Sequence, residues 1–410
     1  MTEFDFAKKI HELGGRAYLV GGAVRDKFRG ICAHDRDYCV TGIAQENFAA
    51  AFPNATKFGK SFPVYSVDID DARCEVAFAR TERKVGTGYR GFEILFAPDV
   101  TIEQDLYRRD TTINAMAIEL LSGELVDPFG GRDDVLNKKI RAVSEHFTDD
   151  PVRALRAARQ AAQFNFDISD DTIEAMRSCR EELAAEPTER IFHELETALK
   201  TDKPSTFFRS LARANLLDVT FPEINDLRGK IQPTTFHPEG DAYEHTLNIV
   251  DAVAAVNAKP HVRFAALVHD IGKGTTPPEM LPHHYLHERR GLEVLRKINR
   301  RMTLPTDWYK AATFVIREHM RAPNLTRVGK IVDLLLSLHV AKIGVADFCD
   351  IFRIDNGGLP QYLEHAQEII DELLKIGGNA APPELSGKAV GDWIRAERIR
   401  RFKAIYSKGF

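Results

Sequence analysis

Two carboxylates one residue apart, Asp35 and Asp37, follow a short apolar run, Leu19-Val20, that ends in Gly21-Gly22 and an arginine, Arg25. Glycines without a Cβ let backbone N–H groups come close to a phosphate, and an arginine can grip that phosphate with two parallel hydrogen bonds. If Asp35 to Val40 is a strand, residues i and i+2 share a face, and the two carboxylates lie about 6.6 Å apart along it. Oxygens so placed can converge on a pair of hard cations, as two-metal phosphoryl chemistry requires. A Gly-Gly pair alone is ordinarily a turn, and an Asp-x-Asp alone is ordinarily a solvated strand edge. Their succession within 21–37 points to a site where a nucleoside triphosphate meets a metal pair.

Three further clusters carry chemistry. Arg108-Arg109-Asp110 precedes Thr111 to Ala117, a run expected to be helical, with Asp110 placed to cap it. Asp149-Asp150-Pro151 opens a second run in which Arg153, Arg156 and Arg159 recur every three residues. Proline at the first turn and acidic residues beside it suit a helix start, and the arginines form a slowly drifting stripe. A solvated stripe with an acidic cap would look the same. His245, His269-Asp270, His283-His284, His287 and His319 lie in a helical context. Neutral imidazoles with a carboxylate can hold a divalent ion that activates water. Glu75 falls on an expected strand, where an exposed glutamate needs no functional explanation, and it stays outside the candidate site.

The elements that must position these residues follow from periodicity. Tyr18 to Val20, Tyr38 to Thr41 and Val64 to Val67 read as strands, and Met116 to Leu121 with Glu124 to Asp127 read as a hairpin about Ser122-Gly123. Arg80 to Phe92, with three glycines, reads as a mobile basic loop. From about residue 145 the spacing turns helical, over Pro151 to Phe164, Asp171 to Leu183, Pro187 to Leu199 and Pro204 to Leu217. The polar stretch Arg228 to Asp241 and the break Gly377 to Gly387 divide the remainder.

With 410 residues the chain exceeds one compact core, and several domains are expected. No apolar stretch approaches the roughly 18 residues of a membrane span, and the acidic start lacks a signal-peptide pattern. Five scattered cysteines without C-x-x-C spacing argue against a disulfide framework or a zinc ribbon, and the cytoplasm is the expected compartment. The net charge of −4 does not advertise nucleic-acid binding, so basic runs such as Arg80 to Lys84, Arg296 to Arg301 and Arg395 to Lys403 read first as solvated faces.

Gly21-Gly22-Ala23-Val24-Arg25-Asp26 with Asp35-x-Asp37 resembles the head of the bacterial-type (class II) CCA-adding enzymes, the tRNA nucleotidyltransferases. Bacterial poly(A) polymerases are close relatives that share these motifs. The resemblance continues through Arg108 to Ala115, Asp127 to Gly131 and Asp149 to Arg153, and reaches His269-Asp270, so it spans most of the chain. It implies an α/β nucleotidyltransferase head with a small mixed sheet over 1–145. A helical neck (146–227), an HD domain (228–340) and a helical tail (341–410) would follow. By this resemblance Asp35 and Asp37 are the catalytic ligands of Mg2+, and Gly22, Arg25 and Arg109 hold the nucleotide. Asp150 and Arg153 would read the Watson–Crick edges of C and A in place of a nucleic-acid template, with Arg156 and Arg159 close by.

His245, His269, Asp270 and His319 resemble the metal-binding centre of HD phosphohydrolases, which could take a second divalent metal such as Ni2+. The centre could act as a 2′,3′-cyclic phosphodiesterase, 2′-nucleotidase or phosphatase. Relatives often carry Asp where Met320 stands, and a thioether is a poor ligand for Mg2+, so the residues leave hydrolase activity open while the fold expectation stands. The expected partners are tRNA, CTP and ATP, without a membrane, for a monomer or homodimer. A poly(A) polymerase would typically replace the HD domain with a basic extension. A non-catalytic nucleotide- or RNA-binding relative would not need the intact Asp35/Asp37 pair.

Overall fold

The computed structural model describes every residue except 33–34, 59–61, 87–90, 236 and 407–410. Two compact units result: Met1–Glu194 with Thr206–Thr220, and Leu195–Ser205 with Phe221–Phe410. No helix among the described residues is long and apolar enough to cross a membrane.

The first unit is built on a mixed sheet. Its strands are β1 (Arg16–Val20), β2 (Asp37–Thr41), β3 (Thr56–Phe58), β4 (Val64–Ile69) and β5 (Ala72–Phe78). β6 (Thr81–Lys84) and β7 (Phe92–Leu95) form a separate pair, and β8 (Ala117–Glu119) with β9 (Leu125–Val126) completes the main sheet. The seven-stranded order is β3-β4-β5-β2-β1-β8-β9. Only the β2–β5 pairing within it is parallel.

Side chains alternate across the sheet with period two. Tyr38 and Val40 of β2 join Phe6, Ile10, Phe48, Phe52, Tyr65, Val76 and Phe78 in one core, while Cys39 joins Tyr18, Val20, Ile102 and Leu106 on the opposite face. β1 therefore ends with Val20 beside Asp37, and Gly21 follows at once.

Five expectations are corrected here. The strand begins at Asp37 and not at Asp35, which sits in a bend before it, so the two carboxylates are not i, i+2 neighbours on one strand. Arg80 to Phe92 is not a loop throughout, because β6 and β7 pair antiparallel within it and beyond it. Lys84 is anchored by Glu182 at 2.7 Å, and Glu82 by Arg80 and Arg108 at 2.9 Å each. Thr111 to Ala117 is no helix but a single 3-10 turn, Thr112–Asn114, leading into β8. Asp171 to Leu183 is broken at Cys179 into two helices, Asp170–Ser178 and Arg180–Ala184, and the Pro204 run stops at Arg213.

The helix Val152–Phe164 buries a face rich in alanine (Ala154, Ala157, Ala158, Ala161), so it can pack closely, and it ends at Asn165 in the left-handed region. In the second unit Asp241 caps the helix Ala242–Val256 by accepting from the N–H groups of Tyr243 and Glu244, which sets His245 in the first turn. The helix Pro260–Leu267 ends just before His269-Asp270. Arg263 within it is buried and donates to the carbonyls of Leu199, Thr201, Ala254 and Asn257, at 2.6 to 2.9 Å. The helices His287–Met302, Thr306–Glu318 and Val345–Asn356 bring in the remaining residues of the second site.

Candidate functional site

One cavity of about 820 Å³ in the first unit is lined by Gly21, Gly22, Arg25, Asp37, Arg109, Asp150, Arg153, Arg156 and Arg159. Nearly every residue expected of a nucleotide site is thus brought together, and Asp35, exposed just ahead of β2, is the one that does not line it.

Gly21 has φ +66°, which side chains rarely adopt, and a Cβ there would stand 3.1 Å from Arg109 Nη1. Arg25 donates through Nη1 to Asn114 Oδ1 at 2.7 Å, pairs with Asp26, and lies 4.2 Å over the Phe164 ring. Its position is fixed by groups from three separate segments.

Two buried carboxylates organise the arginines. Asp105 accepts from Arg108 at 2.5 Å and Arg109 at 2.9 Å. Burial alone would raise its pKa, but the two guanidinium groups hold it at about 2. Asp110 does not cap a helix. Its Oδ1 accepts from Thr111 N–H at 2.8 Å and its Oδ2 from Arg156 Nε at 2.8 Å and Gln160 at 3.0 Å. Burial pushes this carboxyl up, and Arg156 outweighs it and holds it well below the usual carboxylate range. Asp110 therefore ties the helix Val152–Phe164 to the segment that carries Arg109.

Asp150 accepts from Arg190 at 2.8 Å and from Val152 N–H at 3.1 Å. Arg153 is buried, donates to the His146 carbonyl at 2.5 Å and approaches Glu82 at 3.9 Å. Arg159 donates to Glu194 at 2.6 Å. Asp37 pairs in register with Glu75 on β5. Its carboxyl is raised by partial loss of solvation, then by Glu75, with Asp35 adding and Arg109 opposing. A carboxylate held among carboxylates suits a divalent cation, and the register that sets Glu75 beside Asp37 makes it a candidate partner there.

In the second unit the four residues singled out do converge. Asp270 Oδ2 lies 3.3 Å from His269 Nε2 and 3.7 Å from His245 Nε2, and Oδ1 lies 3.3 Å from His319 Nε2. Met320 is exposed, and its position in the sequence misleads. The carboxylate comes from Asp355, whose Oδ1 lies 3.1 Å from His245 and 3.5 Å from His269. His269 Nε2 and Asp270 Oδ1 are buried with no hydrogen-bond partner among the described residues, as expected of ligand atoms. His245, His269, Asp270 and Asp355 thus fit one divalent ion. Gly272 makes the arrangement possible, since a Cβ there would lie 2.0 Å from the His287 carbonyl.

Comparison with known proteins identifies the domains that hold these residues. Residues 17–141 match the poly A polymerase head domain, 165–227 the probable RNA and SrmB-binding site of polymerase A, and 242–345 the HD domain. A multifunctional CCA protein of Nitrosococcus oceani is 45% identical over 323 residues, 78% of each chain. That of Paraburkholderia phymatum is 43% identical over 404 residues, 93% of this chain and 96% of its own. The chain belongs to the family of multifunctional CCA proteins. A solved CCA-adding enzyme of Bacillus stearothermophilus, in complex with CTP, shares the fold with a TM-score of 0.68 at 23% identity, over 96% of this chain and 90% of that one.

Sequence reasoning set Glu75 aside as an exposed strand residue and did not single out Asp355. The parallel pairing that places Glu75 beside Asp37 is not written in the local sequence. Asp355 sits in Arg353-Ile354-Asp355-Asn356, which carries no spacing signal towards His269. Asp110 was noticed as a cap, and its burial shows a larger role.

Proposed function

We propose that the chain adds C, C and A to tRNA 3′ ends from CTP and ATP, in the cytoplasm. The terminal 3′-oxygen bonds to the α-phosphorus, the bond to the β-phosphate oxygen breaks, and pyrophosphate leaves with the hydroxyl proton passing to solvent. Gly21, Gly22, Arg25 and Arg109 hold the triphosphate, and Asp150 and Arg153 read the base. Asp35 and Asp37, with Glu75, would hold Mg2+, which supplies charge neutralisation at the phosphates and a more acidic 3′-hydroxyl. The head would cover 1–145, the neck 146–227, the HD domain 228–340 and the tail 341–410.

The observation that carries this reading is the single cavity in which Gly21, Arg25 and Asp37 meet Asp150 and Arg153. Supplying tRNA without its 3′ end, with CTP and ATP together, tests it. Addition that stops after C, C and A supports the reading, and an unlimited A tail overturns it in favour of poly(A) synthesis.

The second cluster favours an accompanying phosphohydrolase that removes 2′-, 3′- or cyclic phosphates from RNA ends. An ion held by His245, His269, Asp270 and Asp355 would activate water for that attack. Hydrolysis of a 2′,3′-cyclic phosphate that falls with His269→Ala supports it, and no hydrolysis by the parent chain overturns it.

A further inference from the structure

A cavity of about 650 Å³ in the second unit adjoins the His/Asp cluster, and its described lining is of two kinds. Asp270, Lys273, His287, His319 and Asp355 supply charged or polar atoms. Tyr285, Leu286 and Met320 line the same cavity while 63%, 54% and 46% exposed. One exposed apolar side chain needs no explanation. Three large ones lining one cavity beside polar groups mark a place where a ligand binds.

The loop that carries Tyr285 and Leu286 is held on both sides. His284 Nε2 donates to the Ile231 carbonyl at 3.0 Å, and its Nδ1 shares a hydrogen bond with Thr276 Oγ1 at 2.8 Å. Arg290 donates to the Tyr285 carbonyl, and through Nε and Nη2 to the hydroxyls of Thr275 and Thr276 at 2.8 Å each. Leu286 has φ +56°, which residues other than glycine adopt rarely and keep only where the surrounding bonds enforce it. The His283 ring stacks on Tyr285, with centroids 5.5 Å and planes 26° apart. Tyr285 is thus an exposed ring whose backbone and plane are already set. A partner that stacks on it meets little further ordering cost.

We propose that Tyr285 is the base-stacking platform of a nucleoside-phosphate site, flanked by Leu286 and Met320, with the phosphate among the polar residues. A phosphate without a base would leave the apolar lining wet. An apolar ligand without a charge would leave the lysine, imidazoles and carboxylates unused. A nucleoside phosphate carries a flat apolar face and an anion on one small molecule, and cavities of this size hold ligands of that size. Stacking uses the π-face that every base possesses, so the platform admits all four bases and favours purines, which offer the larger face. The proposal rests on the reading of the cluster as a phosphohydrolase and adds what that site recognises beyond the phosphate.

Equilibrium dialysis of the full chain in Ni2+-containing buffer, against adenosine 3′-monophosphate and against inorganic phosphate, tests it. The head contributes equally to parent and variants, so differences between them report the second unit. Tyr285→Ala and Tyr285→Leu should each weaken nucleotide binding there by about tenfold, while Tyr285→Phe keeps the parent affinity. All three should bind inorganic phosphate as the parent does and keep its circular dichroism spectrum. An RNA trinucleotide ending in a 3′-phosphate should follow the same pattern if the ligand is an RNA end. Dependence on Tyr285 for the mononucleotide alone supports a free nucleotide in the same site. Nucleotide binding unchanged in Tyr285→Ala, or kept by Tyr285→Leu as fully as by Tyr285→Phe, would overturn the proposal. So would a loss of inorganic phosphate binding equal to that of the nucleotide, which is the mark of a collapsed cavity. The phosphohydrolase reading fails separately, in a chain whose nucleotide binding depends on Tyr285 but which leaves adenosine 2′,3′-cyclic phosphate intact. Conversely, hydrolysis with a KM unmoved by Tyr285→Ala removes the platform and leaves the hydrolase standing.

Discussion

Asp37, the first residue of β2, stands directly beside Glu75 of β5 in the only parallel pairing of the main sheet. Burial first, and then the Glu75 carboxylate beside it, push the Asp37 carboxyl up, and a cation lying between the two would relieve both. Glu75→Gln should therefore raise the Mg2+ concentration needed for half-maximal nucleotide addition by about tenfold. At saturating Mg2+ the KM for CTP should stay within about twofold, since Glu75 does not line the nucleotide cavity. Steady-state addition at varied Mg2+ separates the two effects, and an unchanged Mg2+ requirement would remove Glu75 from the site.

Arg153 lines the cavity with its guanidinium already held by the His146 carbonyl. Truncating it should disturb the choice of base more than the grip on the triphosphate. Arg153→Ala is expected to lower the ratio of correct to incorrect nucleotide at each position by about tenfold, roughly one lost hydrogen bond to a charged group. Single-nucleotide incorporation with CTP and ATP offered separately measures that ratio.

Asp110 accepts from Arg156 and Gln160 while buried. Asp110→Asn leaves Arg156 only the more distant Glu194, at 3.9 Å, and because the arginine side chain is partly exposed the loss should be about 1 to 2 kcal/mol. The first urea transition should move to lower denaturant with its slope unchanged. A shift no larger than that of a surface Asp→Asn control would show that the hub contributes little.

Acid should weaken the first unit through Asp105. Its folded pKa, about 2, lies below the ordinary carboxylate value because Arg108 and Arg109 outweigh burial. A depressed folded value means that the stability is complete above the unfolded pKa and is lost as pH falls through the folded one. The loss, about 2 kcal/mol, should fall between about pH 4 and pH 2. Asp105→Asn should flatten that part of the urea-midpoint profile.

Met320 and Asp355 make opposite predictions from those their sequence positions suggest. Met320→Ala should leave the Ni2+ affinity of the cluster unchanged, because Met320 is exposed in the wall of the adjoining cavity and offers no ligand to the cluster. Asp355→Asn should lower it by about 100-fold or more. Equal effects would contradict the ligand set.

How much could be read beforehand depends on how local each signal is. Leu19-Val20-Gly21-Gly22 and the start at Pro151 were legible because a strand end and a helix start write their reasons within a few residues. The comparisons confirmed the head, HD domain and family that the motifs suggested. The placements of Glu75 and Asp355 were not legible because strand order sets Glu75 beside Asp37 and helix packing sets Asp355 beside His245. The β6–β7 pair hid behind three glycines that resembled loop composition, although Glu82 and Lys84 fasten it by ion pairs to distant segments. Cys179 interrupts a helix whose apolar spacing runs straight through it.

The attachment of the helix Val152–Phe164 to Asp110 bears on how the enzyme would count. A polymerase copying a strand keeps its place by advancing along it. Here the helix that carries Arg153 is tied through Arg156 and Gln160 to Asp110, next to Arg109, so these residues keep one spacing. If that helix reads the base, the tally of added nucleotides would fall to the RNA end, which would withdraw after each addition to clear the same seat. Addition would stop when the lengthened end no longer fits that seat.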